Sequence, residues 1–280
     1  MNLMLFRSLW TNGFDLDAAL ADCLTGNFDG VEGPVANKDF AAKLRDARVP
    51  FIAEITTGGG YVPGQTVTLH EHIDSFSHKI EASLECEPLL ISVLAGCDAW
   101  SLQRNVEFFG SALEIAREFG VAVSFETHRS RSMFNPWIAR DLLTQLPDLR
   151  LTCDFSHWCC VCERLVMDGE QELLGLCAER TLHVHARIGY AQGPQVPHPA
   201  APEYHEALYA HERWWDAIWD SQQIRQFAFA TMTPEFGPDG YLHSTPFSGK
   251  PVADLDEINR WMAVRQRNRF ASRTASPAAA

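Results

Sequence analysis

The chain has 280 residues, 46% hydrophobic and 21% charged, the make-up of a globular protein large enough to bury its apolar surface without crosslinks. Its formal net charge of −13 argues against a partner held by its phosphate backbone, which needs a basic face, so no nucleic acid is expected. Eight scattered cysteines without paired CxxC spacing read as reduced, mostly buried thiols; no apolar run approaches the roughly 20 residues of a membrane span, and MNLMLFRSLW is too short and interrupted for a signal peptide.

Strand-like and helix-like segments alternate from the first residues onward. Strands are predicted at 3–9, 28–33 and 49–56, with Trp10 just beyond the first and Glu32 and Glu54 near the ends of the second and third. The two glutamates suit substrate hydroxyls or a partner behind the site, with rim salt bridges an equal alternative. In TLHEHIDSFSH, His70, His72 and His78 lack the i, i+4 spacing of a zinc helix and are expected at the surface or rim. The fourth strand, 89–95, is apolar almost throughout, as parallel strands covered on both faces are. Ser101 opens a helix with an apolar stripe of Leu102, Val106, Phe109, Leu113 and Ala116, and Gly120 closes it.

The fifth strand, 121–126, ends on Glu126. His128, Arg129 and Arg131 follow and suit a phosphate or carboxylate on a substrate, with a solvated loop as the alternative. Asn135-Pro136 starts the next helix. The sixth strand, 149–154, ends on Asp154, with His157 three residues on. The seventh, 181–186, carries His183 and His185, and Arg187 by alternation faces the same side. His183 lies one layer deeper and reads as a supporting or packing residue. Residues 189–210 exceed a normal strand–helix connection and lie where a cover over an active site would be, or form a plain surface excursion. HERWWDAIWDSQQIRQ precedes the eighth strand, 227–233, which leads to Glu235. VADLDEINRWMAVRQRNRF forms the closing helix, and the low-complexity residues 272–280 are expected to be a disordered tail.

This alternation, without a Pro/Ser-rich linker, predicts an α/β protein: a single-domain, parallel, eight-stranded (β/α)8 TIM barrel over residues 1–271. Glu126, Asp154, His185 and Glu235 stand at four successive strand ends, separated by 28, 31 and 50 residues. They meet only if the strands lie parallel with their C-terminal ends on one face, where such a barrel collects its active-site groups. One acid at a strand end is an ordinary salt bridge; four successive ligand types are a pattern. Two Glu, one Asp and one His suit a single divalent metal ion, Mn²⁺, Mg²⁺ or Co²⁺, with Zn²⁺ admissible. Trp10, Trp100 and Trp158 follow strands one, four and six and offer flat faces to the C–H groups of a sugar; one of them is expected to touch substrate, packing under the loops being the ordinary role of the rest.

FETHRS, CDFSHW, LHVHARIG and TPEFGP resemble the strand ends of the xylose isomerase-like TIM barrels, the sugar phosphate isomerase/epimerase and AP endonuclease family 2 type. That superfamily holds sugar isomerases and epimerases, inosose and dehydroshikimate dehydratases, and endonuclease IV enzymes. The resemblance implies that Glu126, Asp154, His185 and Glu235 ligate the metal, that Glu126 and Glu235 also act as acid and base, and that His157 and Arg187 contact substrate oxygens. It implies a metal-dependent isomerase or epimerase acting on a sugar, sugar phosphate or keto-polyol through a metal-stabilised enediolate, in a chain whose reduced cysteines and lack of a signal peptide or membrane span lead to the expectation that it is cytoplasmic. A lyase or dehydratase acting on a 3-keto sugar, keto-glycoside or inosose uses the same groups and stays open. Endonuclease IV-like DNA repair is the remote alternative, disfavoured by the negative charge and a ligand set sized for one metal. A homo-oligomer is compatible with all of these.

Overall fold

The structure, a computed structural model, describes residues 1–36, 39–238 and 240–275. Eight parallel strands pair in chain order and close on themselves: β1 (Asn2–Ser8), β2 (Gly30–Gly33), β3 (Phe51–Thr56), β4 (Leu90–Leu94), β5 (Val123–Glu126), β6 (Leu151–Cys153), β7 (Thr181–His185) and β8 (Phe229–Thr233). Nine helices are formed among the described residues: α1 (Leu16–Leu24), α2 (Phe40–Ala47), α3 (Leu69–Leu84), α4 (Leu102–Phe119), α5 (Pro136–Gln145), α6 (Phe155–Val161), α7 (Gln171–Arg180), α8 (His205–Ile224) and α9 (Leu255–Ala275). The expected single (β/α)8 barrel is formed, with strands slightly shorter than the apolar runs that announce them. None of these helices is long and apolar enough to cross a membrane.

Local chemistry sets the helix ends. Thr68 and Glu71 form a reciprocal capping box at α3, and Ser101 caps α4, which ends at Gly120 in the left-handed region. Asn135 Oδ1 accepts from the backbone N–H groups of Trp137 and Ile138 at 3.1 and 3.0 Å, with Pro136 in the first turn of α5. Two boundaries differ from expectation. The helix before β8 starts at His205, inside the stretch anticipated as loop, and α9 runs to Ala275, so residues 272–275 are helical rather than tail. The remainder of that tail, 276–280, lies outside the described residues.

The barrel interior changes from apolar to polar along its axis. Phe6, Ile52 and Leu90 plug the N-terminal end, with Met4 and Leu182 against them. Above this floor, Ser92 and Ser124 hydrogen-bond to Thr152 Oγ1 at 2.9 and 2.6 Å. Ser124, Thr152 and His183 each stand two residues before Glu126, Asp154 and His185, so strand alternation lifts the latter three into the layer above. A register shift opposite Leu151 and Thr152 brings His183 level with Thr152. The barrel's outer face packs on the helices through Phe76, Phe108, Phe109 and Phe125, and on α8 through Trp214, Trp215 and Trp219, all buried. The eight cysteines are unpaired, five of them buried in this packing.

Candidate metal centre

Glu126 and His185 are the last residues of β5 and β7; Asp154 and Glu235 lie just past β6 and β8. All four are buried, and one ligand atom from each lies within 4.8 Å of the others. Asp154 has two roles: Oδ1 accepts from Ser156 N at 3.0 Å as the N-cap of α6, leaving Oδ2 for the cluster.

Glu32 on β2 fixes the histidine. Its Oε1 takes the Nε2–H of His185 at 3.0 Å, and its Oε2 lies 3.1 Å from Nε2 of His183. His185 is thereby left with an Nδ1 lone pair turned into the cluster, the arrangement in which a carboxylate orients a metal-binding imidazole. That Nδ1 lies 3.0 Å from Glu235 Oε2 and 3.5 Å from Glu126 Oε1. Nδ1 of His185 is buried without a well-formed hydrogen bond, and Glu235 Oε2 has the Arg187 guanidinium beside it at 3.2 Å. Three carboxylates and an imidazole buried together need positive charge among them, a proton on Nδ1 or a cation in its place. Burial disfavours a charged His185, but Glu235, Glu32 and Glu126 outweigh it and push its pKa well above the usual histidine value. For Glu126 burial dominates and raises the carboxyl pKa; for Glu235, burial is outweighed by His185 and Arg187, which lower it. The donor set and its negative field therefore fit one divalent ion.

Arg187 is buried beside this cluster. It pairs with Asp154 and with Glu235 (3.2 Å), and it also donates to His157 Nε2 at 3.0 Å. Its guanidinium lies 4.7 Å from the ring centre of Tyr241 and 5.7 Å from that of Trp10. Burial, with His128 and Arg187, lowers the pKa of His157 well below the usual histidine value, so its ring is neutral.

A cavity of about 450 Å³ opens onto the cluster, within the range of small-molecule sites. Glu126, Glu235 and Arg187 form its polar end; Trp10, Phe14, Pro34, Val35, Ile55 and Leu94 form apolar walls, and Glu54, Thr56, Tyr61 and Lys79 complete it. Burial, together with the charges of Glu235, Glu32 and Glu126, pushes the Glu54 carboxyl up to about 8.

Not all candidates reach this cavity. Trp10 lines it, but Trp158 is fully buried with its Nε1 donating to Met133 O at 2.9 Å, and Trp100 packs between His72 and Phe108. His157 is not on the cavity wall; it holds Arg187 instead. His72, expected at the surface, is buried and bonds Thr57 Oγ1 at 2.8 Å, while His70 and His78 are exposed as expected. Gly58 explains the inversion: its missing Cβ, at φ +67°, would stand 2.1 Å from the His72 ring. Arg131 is not an anion site either. It donates to the carbonyls of Thr57, Gly60, Tyr61 and Gly96 and clamps the β3–α3 and β4–α4 loops together. His128 bonds Tyr61 OH at 2.7 Å and lies against His157 with the rings 4.0 Å apart and tilted by 54°, and Arg129 stacks on Tyr241.

Residues 189–210 supply none of the cavity wall. Val196 is buried and its N–H reaches Ile188 O at 2.9 Å; Gln195 binds both sides of the Gly237 backbone, Oε1 accepting from Gly237 N at 2.8 Å and Nε2 donating to Gly237 O at 3.2 Å. The segment is a buttress, and the mouth is covered from elsewhere. Trp10 after β1, Tyr61 after β3 and Tyr241 after β8 form an aromatic wall, with the two tyrosine hydroxyls hydrogen-bonded. Sequence reasoning missed both tyrosines, because neither lies near a strand end. Gly237 was a signal: a Cβ there would stand 1.9 Å from the Trp10 ring.

No family model and no curated protein matches this sequence. Solved structures do match over the full length. A "xylose isomerase-like TIM barrel/4-hydroxyphenylpyruvate dioxygenase fusion protein" aligns with TM-score 0.66 at 14% identity, covering 99% of this chain and 45% of the fusion. A "D-tagatose 3-epimerase-like protein" aligns with TM-score 0.65 at 12% identity, covering 98% of this chain and 100% of that one. The "probable 3-DHS dehydratase AsbF" of Bacillus anthracis aligns with TM-score 0.59 at 14% identity, covering 96% and 100%. The chain thus has the fold of the xylose isomerase-like TIM barrels, a fold shared by proteins named for different reactions.

Proposed function

We propose that this chain is a divalent-metal-dependent isomerase or epimerase of a sugar, sugar phosphate or keto-polyol. The observation that carries the reading is the buried four-ligand cluster of Glu126, Asp154, His185 and Glu235 at the cavity's polar end, with His185 Nδ1 turned toward Glu235 and Glu126. Glu126, Asp154, His185 and Glu235 hold the ion. Bound there, Mn²⁺, Mg²⁺ or Co²⁺ supplies a Lewis acid that acidifies the C–H beside a substrate carbonyl. Glu126 and Glu235 both stand on the cavity wall, and there they remove and return the proton at that carbon. Arg187, anchored by Asp154, His157, Ser156 and the Glu235 carbonyl, has one N–H left to present to a substrate oxygen. Trp10 and Tyr61 on the cavity wall, backed by Tyr241, pack against the substrate's C–H faces and exclude water.

Elimination on the same scaffold is the second reading, favoured by Glu54. Glu54 stands on the cavity wall, and burial, the largest influence on its carboxyl, favours the protonated form, from which it can deliver a proton to a departing hydroxyl. Metal analysis of the purified chain, with a screen of ketoses, keto-inositols and 3-keto-glycosides in deuterated water, tests both. Metal-dependent C–H exchange supports the first; growth of a conjugated enone absorbance supports the second. Full turnover in metal-free protein, or near-wild-type rates in both Glu126→Gln and Glu235→Gln, ends both.

A further inference from the structure

Among the described residues on the cavity wall, Lys79 is a charged group that the proposed chemistry leaves unused. It lies on α3, and its Nζ donates to Thr56 O at 2.6 Å and Thr56 Oγ1 at 3.0 Å, at the end of β3. An ammonium has three donors, so two are spent on Thr56 and one remains toward the cavity that Lys79 lines. Among the described residues no carboxylate lies within ion-pair distance of it, whereas Arg187 on the same wall is paired with Asp154 and Glu235. A half-buried cation facing an apolar-walled cavity without a counter-charge is an arrangement that an incoming anion completes.

We infer that the substrate carries an oxyanion, a carboxylate or a phosphate, and that Lys79 receives it on the β3 side while the cluster on β5 to β8 takes the reacting end. The apolar walls between them fit a carbon ring or chain linking the two. The inference deepens the proposed function, taking the cavity as the substrate site, and names Lys79 as a specificity-determining residue with no part in the proton transfers.

The test uses the full chain, as purified and after Mn²⁺ loading, titrated calorimetrically with three probes of one body: cyclohexanecarboxylate, cyclohexyl phosphate and the neutral cyclohexanecarboxamide. In the wild type at least one anion should bind roughly tenfold or more tightly than the amide, the worth of a charge-assisted contact. Whichever anion binds tighter identifies the group. Lys79→Met should bring that ratio to within about twofold without weakening amide binding, and Lys79→Arg should keep part of it. If Lys79 only ties α3 to β3, Lys79→Met lowers thermal stability and leaves the ratio intact, which overturns the inference. So does a wild type with no preference for either anion, a result that stands even if Lys79→Met fails to fold. Mn²⁺ titration of the wild type and His185→Ala reads the metal centre separately: absent Mn²⁺ binding would sink the proposed chemistry without altering the anion-to-amide ratio.

Discussion

Glu32→Gln isolates the contact that, on the proposed function, turns His185 into a metal ligand. Glu32 accepts from His185 Nε2 at 3.0 Å through one oxygen and faces His183 Nε2 at 3.1 Å with the other. Burial alone would raise its pKa, but the charges of His185 and His183 and their hydrogen bonds outweigh burial and hold it well below the usual carboxylate range. A depressed carboxylate contributes in full above its unfolded value of about 4.3 and is lost only as pH falls through the lowered one. Its effect should therefore be constant from about pH 6 to 8. Glutamine has nearly the same shape but one acceptor. If that oxygen stays with His183, the amide N–H₂ faces His185 Nε2–H, donor against donor. The imidazole escapes by moving its proton to Nδ1, the atom the metal needs. One charge-assisted hydrogen bond is worth about 1.5–3 kcal/mol, a factor of roughly 10 to 150 in affinity. Partners behind metal-bound histidines typically carry about 10–100-fold. Calorimetric titration with Mn²⁺ should show a loss in that range, with far-UV circular dichroism unchanged. Mn²⁺ affinity within about twofold of wild type in a folded Glu32→Gln would refute the argument.

Gly237→Ala places a methyl 1.9 Å from the Trp10 ring and should displace it, costing about 1–3 kcal/mol and altering tryptophan emission; unchanged melting and emission would contradict the close approach. Gln195→Ala removes both hydrogen bonds to the Gly237 backbone and should lower stability by about 1–3 kcal/mol in urea, while the exposed Gln192→Ala should not; equal effects would mean that residues 189–210 are no buttress. Burial holds His72 and His211 down at about 4. A histidine depressed below its unfolded value near 6.5 contributes fully above that pH and loses its contribution as pH falls toward 4, up to about 3 kcal/mol each. Urea unfolding at stepped pH should show this loss, and His211→Asn should flatten part of it; an identical slope would count against a neutral, buried His211.

The barrel and the candidate ligand cluster were legible because both are written in local pattern. Apolar runs at strand length mark the eight strands, and alternation along a strand places Glu126, above Ser124, and His185, above His183, in one layer without knowledge of any neighbour. Closure then brings four strand ends together as a geometric necessity. What the structure alone decided are contacts between residues far apart in sequence. Glu32 reaches His185 across the barrel, and no periodicity reveals that it takes both histidines rather than a rim salt bridge. Trp10, Trp100 and Trp158 occupy equivalent places after their strands, yet only Trp10 faces the cavity, because loop paths rather than strand ends aim such side chains. His72 is buried because Gly58 makes room for it, and Arg131 is spent on four carbonyls because two loops converge there. Residues 189–210 look like a free cover in composition, but their backbone polar groups and Gln195 found fixed partners at Ile188, His211 and Gly237. Burial of a backbone segment obliges it to find such partners, and which ones it finds depends on the packed whole.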